Sequence, residues 1–125
     1  MDFGLLSEAI AAFAGGGHAH YVLLGVFVGL TFGVVPGLGG TTALALLIPV
    51  TYTMDPVAAM YLAGGSMGAT SFGGSMTAIL LNTPGTPPNA ATTFDGYPLT
   101  RQGKAGLAIG ASATASALGG LIGLI

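Results

Sequence analysis

Apolar residues along this chain come in long blocks, and glycine and proline cut the blocks where charge would be expected to. Residues 9 to 54 and 56 to 94 contain no Asp, Glu, Lys or Arg. At the start, DFGLLSEAIAAF (residues 2 to 13) sets Phe3, Leu6, Ile10 and Phe13 at helical spacing, with Asp2 and Glu8 off that stripe. This predicts a short amphipathic helix lying at a membrane surface, with a frayed terminus as the alternative, and GGGHAH ends it. From Tyr21 an apolar run continues to Val35, with Gly25, Gly29, Gly33 and Gly37 recurring every fourth residue. Such a row of small residues predicts close contact with another helix. PGLGG (Pro36 to Gly40) breaks the run, and TTALALLIPV resumes it. Only about ten residues follow before Pro49, half of the roughly 20 that span a bilayer.

Asp55 and Pro56 then mark a helix start, as N-cap and first helical residue, a structural role that suffices for Asp55. Residues 56 to 71 are apolar and glycine-rich, and FGGS (Phe72 to Ser75) is expected to interrupt them before a second half-helix, MTAILL, ending at Asn82. The two half-helix starts lie near 34 residues apart, but a solenoid needs polar outer faces that these segments lack. The stretch ILLNTPGTPPNAATTFDGYPL (79 to 99) is crowded with Pro84, Pro87, Pro88 and uncharged hydrogen-bonding side chains. DGYPLTRQGK (95 to 104) reads as a polar loop, its Asp-Gly-Tyr-Pro a turn with Asp95 as cap and Gly96 at positive φ. Residues 105 to 125 suffice for one crossing, with Ala108, Ser112, Ser116 and Gly120 on one face. The sequence stops inside that apolar run and reads as a piece of a longer protein.

Composition names the solvent. The 125 residues are 52% hydrophobic and only 5% charged, with a mean hydropathy of +0.84. Soluble domains are about 25% charged, so lipid is the medium that fits. Two basic residues exclude nucleic acid as a partner, and Arg101 as the first of them leaves no basic region for a secretory signal. Placed together, Arg101 and Lys104 predict a cytoplasmic loop. The sequence has no cysteine. His18 and His20 have no carboxylate or thiol neighbour and read as interfacial loop residues, so no metal site is expected. A serine hydrolase built on Ser75 would need a base, and only those distant histidines are available. No enzyme is expected.

Irregular backbone at membrane depth survives only where protein or a water-filled cavity satisfies it. The N-terminus of a half-helix presents free N–H groups and a positive dipole end, which bind anions without a basic side chain. Gly37, Gly39, Gly40, Thr41, Thr42, Gly73, Gly74 and Ser75 are therefore the expected holders of an anionic substrate. Asn82, Thr83, Thr86 and Asp95 offer carbonyl, hydroxyl and carboxylate oxygens, the candidates for a coupling ion, Na⁺ or H⁺. For Asp95 the turn is the bland reading and the ion site the sharper one. No other cofactor is expected. The expected fold is an all-α integral membrane protein: a polytopic bundle with broken or re-entrant half-helices, one part of an inverted-repeat transporter. Residues 1–17 form its amphipathic interfacial segment and 20–125 its transmembrane region. The alternative is a structural membrane module that packs against partner subunits without a substrate site.

From about Gly25 onward, GVVPGLGGTTALALLIPVTYTMDPVAAM and GGSMTAILLNTPGTPPNAATTFDGYPLTRQGKAG, in that order, resemble the large membrane subunit of the tripartite tricarboxylate transporters, the TctA family. The resemblance implies a multi-pass permease of the bacterial cytoplasmic (inner) membrane for carboxylates such as citrate, driven by an ion gradient. It implies two partners, a small membrane subunit and a periplasmic solute-binding protein, and a subunit several times longer, of which this is the N-terminal portion. Thr100 departs from the family's usual small apolar residue, and Pro87-Pro88-Asn89 from its usual small residues. The second departure bears on the cavity wall and hence on substrate choice.

Overall fold

A computed structural model describes residues 3 to 123, the side chain of Leu6 apart. Asp2, the place of Leu6 on the N-terminal stripe and the last two residues of the 105–125 crossing lie outside the described residues. Among those described, every regular element is helical: α1 (Phe3–Gly15), α2 (Ala19–Val34), α3 (Gly39–Thr51), α4 (Pro56–Leu81), a 3-10 turn (Pro87–Asn89), α5 (Ala90–Arg101) and α6 (Ala105–Gly123).

The α2 glycine row forms the seam of the fold. Gly25 abuts the Leu62 carbonyl, Gly29 that of Ser66 and Gly33 that of Thr70, so backbone meets backbone. The register climbs together on both helices, hence α2 and α4 run parallel. From the α4 side, Gly65 faces the Val22 carbonyl and Gly73 the Leu30 carbonyl. A Cβ at Gly25, Gly29 or Gly33 would strike a main-chain oxygen that cannot swing away. The α2 end is closed by Thr77, whose hydroxyl donates to the otherwise orphaned Val34 carbonyl at 3.1 Å.

Linking the parallel pair along the chain, α3 returns in the opposite sense. Its first turn lies against Met67 and Thr70, and its last, Leu47 to Thr51, against Ala59, Met60 and Ala63. Asp55 caps α4 as expected, its carboxylate accepting from the N–H groups of Val57 (3.0 Å) and Ala58 (3.3 Å).

Two expectations are overturned. FGGS does not interrupt anything: α4 is continuous over 26 residues, about 39 Å. Each helical glycine costs about 1 kcal/mol against alanine, but Gly73 gains the α2 approach and Ser75 bonds back to the Ser71 carbonyl. Nor is DGYP a turn. Residues 95 to 101 belong to α5, with Pro98 inside it, and Gly96 is buried where a Cβ would stand 2.7 Å from Ile79 Cγ1. Space, and not a positive φ, is what selects glycine there. The polar loop shrinks to residues 102–104, where Gly103 (φ 75°) ends α5. The N–H of Lys104 reaches the Leu99 carbonyl and that of Gly103 the Thr100 carbonyl, a Schellman closure.

The true interruption is the proline-rich run after Asn82, which takes the left-handed conformation (φ 55°) at the end of α4. The chain then doubles back: Gly85 N–H donates to the Gly74 carbonyl at 3.3 Å. At the foot of this return Asn89 meets Ser71 and Ser75, and α5 climbs again until the Thr100 hydroxyl donates to the Ile79 carbonyl (2.7 Å).

Two ends emerge. At one, Phe13 and His18 pack on the Tyr61 ring (5.7 and 5.3 Å between centroids), where α1 turns 90° from α2. At the other stand Asn82, Arg101 and Lys104, all exposed. Tyr61 to Leu81 rises about 30 Å, the thickness of a bilayer's hydrocarbon core. By length and composition, α6 can cross a membrane, and α1 with α2 would pass the same test as one bent span.

Candidate functional site

The two interruptions, residues 35–38 and 82–86, meet at the middle of α4. Thr70 lies nine residues past Tyr61 and eleven before Leu81, so their meeting place is close to the middle of that stretch of α4. A cavity of about 270 Å³ opens there. Gly39, Gly40 and Thr41 contribute the first turn of α3, Met67, Thr70 and Ser71 the flank of α4, and Thr86 and Pro88 the return segment.

Why α3 starts here is a local matter. Pro36 stops the preceding run, while Gly37 (φ 89°) and Gly39 (φ 63°) take conformations that L side chains rarely adopt. The N-cap position is occupied by Leu38, which makes no side-chain cap bond. The first turn of α3 thus lines the cavity with no side-chain cap on its N–H groups, at the positive end of the helix dipole. Gly40 brings this backbone close to α4: a Cβ there would lie 2.9 Å from Met67 Sδ and 3.6 Å from Thr70 Cβ.

The opposite wall is fixed by Asn89, which is buried. Its amide donates to the Ser71 carbonyl (3.0 Å) and its oxygen accepts from the Ser75 hydroxyl (3.3 Å). Gly74 makes room for it, since a Cβ there would collide with the Asn89 amide and stand 3.2 Å from the Thr86 nitrogen. Gly85 is held against the Gly33 carbonyl and Gly74 Cα in the same way. The Thr70 hydroxyl donates to the Ser66 carbonyl (2.7 Å), leaving its lone pairs toward other donors.

The expected substrate residues thus divide. Gly39, Gly40 and Thr41 line the cavity, Thr42 completes their turn half-buried, and Gly37 is exposed in the preceding loop. Gly73, Gly74 and Ser75 lie in mid-helix, their N–H groups inside the α4 ladder, and form no half-helix start. Gly74 and Ser75 instead seat the return segment.

The four coupling-ion candidates do not come together. Asn82 and Thr83 are exposed at the end of α4, with the Thr83 hydroxyl on the Leu81 carbonyl (3.3 Å). Thr86 is in the cavity wall, and Asp95 lines a separate recess facing α6. Sequence reasoning missed Met67, Thr70 and Ser71, whereas Asn89 belongs to the Pro87-Pro88-Asn89 run that was expected to bear on the cavity wall. The three missed residues fall on the α4 flank one to two helical turns before Gly74, a signal that becomes readable once α4 is taken as unbroken.

No group of three or more His, Cys, Asp or Glu that could hold a metal ion occurs among the described residues. Chemically the cavity offers N–H donors, hydroxyls and a dipole end without a basic side chain.

Comparison with known proteins agrees with the motifs. The model of the tripartite tricarboxylate transporter TctA family matches residues 20–125. A protein of Agrobacterium vitis described as an uncharacterized 52.8 kDa protein in the TAR-I ttuC' 3' region is 39% identical over 102 residues, which is 82% of this chain and 20% of that protein. The chain thus spans about a fifth of that relative's length. No solved structure matches.

Proposed function

Because the chain belongs to the tripartite tricarboxylate transporter TctA family, we propose that it builds part of the substrate path of a membrane permease that imports tricarboxylates or related carboxylates. Uptake is driven by an ion gradient, with Na⁺ or H⁺ as coupling ion, and the permease works with a small membrane subunit and a periplasmic solute-binding protein. The chain lies in the bacterial inner membrane as a multi-pass bundle. The exposed end carrying Arg101 and Lys104 faces the cytoplasm, and the Asp55 and Tyr61 end faces outward.

The observation that carries this reading is the uncapped start of α3 opening into a cavity beside the middle of α4, mid-depth in this membrane reading. Helix N-termini aimed at a midplane cavity are how broken-helix transporters hold anionic groups. A citrate-like anion carries two or three negative charges, and no Lys or Arg precedes Arg101. The N–H groups of Gly39, Gly40 and Thr41 meet one carboxylate, and the hydroxyls of Thr41 and Thr86 flank it. Remaining charge is met by parts of the subunit outside this chain.

The glycine seam between α2 and α4 favours the second reading, a packing module without a substrate site. Uptake of labelled carboxylates into cells or vesicles bearing the complete transporter, with and without an imposed Na⁺ or proton gradient, separates the two. Gradient-dependent uptake that is lost when the subunit is deleted supports the permease. Undiminished uptake without it leaves only the packing module.

A further inference from the structure

The fold keeps a second recess, largely apolar with three oxygen-bearing side chains, apart from the α3 cavity. Where α5 and α6 part over Ile79, a cavity of about 230 Å³ is lined by Thr92 and Asp95 of α5 and Ser112 of α6. It shares no lining residue with the cavity at α3. Thr92 and Asp95 are three residues apart on one helical face, and the recess lies beside the buried Gly96 and Ala108.

Asp95 precedes Arg101 by six residues, about 9 Å along the helix; it is exposed at the mouth of the recess, and in the membrane reading above this places it inside the apolar layer. Both basic residues stand past the end of α5 or at its last residue, exposed. An ionisable side chain at such depth is costly unless a charge or a proton answers it. On α4 the residue facing it is Ile79, and α6 presents Ala108, Ala111 and Ser112. Neither helix turns a titratable group toward it. A carboxylate with two hydroxyls is a hard-oxygen donor set, suited to a cation that prefers oxygen ligands.

We propose that this recess binds a monovalent cation, Na⁺ or a proton, with Asp95 supplying the charge and Thr92 and Ser112 the neutral oxygens. Its role as the coupling site rests on the transporter reading above; its occupancy does not. The route to the carboxylate cavity is short. Helix α5 starts next to Asn89, which grips Ser71 and Ser75, so a cation joining α5 to α6 fixes the wall that carries Thr86 and Pro88.

The test uses the purified full-length subunit and follows its thermal unfolding in NaCl against equal choline chloride, at neutral and mildly acidic pH. Ligand binding to the folded state raises the midpoint. NaCl should raise that of the wild type by several degrees. Asp95→Asn should abolish the shift, while Thr92→Ala and Ser112→Ala raise the half-saturating Na⁺ concentration several-fold. If acidification substitutes for Na⁺ in the wild type but not in Asp95→Asn, the occupant is a proton at the same site. Should Asp95→Asn fail to fold, the two alanine variants decide. Equal responses in wild type and variants, or no response to either cation, overturn the site. A normal cation response without carboxylate uptake would leave this site standing and remove the transport reading alone.

Discussion

Glycine does two different jobs on the two sides of α4. Along the seam, Gly25, Gly29 and Gly33 let one helix backbone touch another, and what a side chain would meet is main-chain oxygen. At the cavity, Gly40 faces the flexible end of Met67, and Gly74 faces a side-chain amide. The residue type is the same, but the seam has nothing that can yield, whereas the cavity has neighbours that can. Seam glycines therefore bear on whether the bundle assembles, and cavity glycines on what it holds.

The largest effect is expected at the seam. Gly29→Ala should destabilise the folded subunit by about 1–3 kcal/mol, the usual cost of overpacking, with lower expression and a lower unfolding midpoint in detergent. A stable Gly29→Ala protein would erase the distinction. Next comes Gly74→Ala, which displaces the Asn89 amide and the Thr86 backbone. It should loosen the return segment, seen as faster hydrogen exchange at residues 85–89, with a several-fold weaker apparent affinity for carboxylate and a smaller stability loss than at Gly29. Gly40→Ala should leave stability within about 1 kcal/mol, since Met67 can swing aside, while weakening carboxylate affinity by about tenfold, the equivalent of about 1.4 kcal/mol. The smallest effect belongs to Gly119→Ala, where a Cβ would meet nothing within 4 Å. Stability there should hold or improve slightly, with uptake unchanged.

The sequence announced the seam plainly because four-residue spacing on one helix leaves little other reading, although it could not name α4 as the partner. The break before α3 was also legible: Pro36 removes a helical donor, and Gly37 and Gly39 do take positive φ. The second break was misplaced. Gly73-Gly74-Ser75 looked like a helix start because glycine is a poor helix former, yet glycine alone does not end a helix that a close neighbour supports. The helix runs on to Leu81, and the prolines of TPGTPP, the first of them ten residues after Gly74, did end it. DGYP misled for a related reason: local turn chemistry lost to tertiary packing, with Gly96 on Ile79 and Thr100 bonded to the same residue's carbonyl. Half of the candidate site, on α3, could thus be read directly. In the other half the proline- and Asn/Thr-rich run after Asn82 was legible as the turn of a broken or re-entrant helix, but that it doubles back onto Gly74 is set by tertiary contact, which no local signal encodes.

Substrate protection of single cysteines tests the central claim, that the start of α3 holds the carboxylate, most directly. The chain itself contains no cysteine, so Thr41→Cys and Thr86→Cys, placed in the complete transporter with any other cysteines replaced, each report on one wall of the cavity. Gln102→Cys, in the turn after α5, serves as the control. Saturating citrate or a related carboxylate should slow alkylation at positions 41 and 86 several-fold and leave position 102 unaffected. Unchanged alkylation at both cavity positions, in a protein that still takes up carboxylate, would contradict the assignment and place the substrate elsewhere.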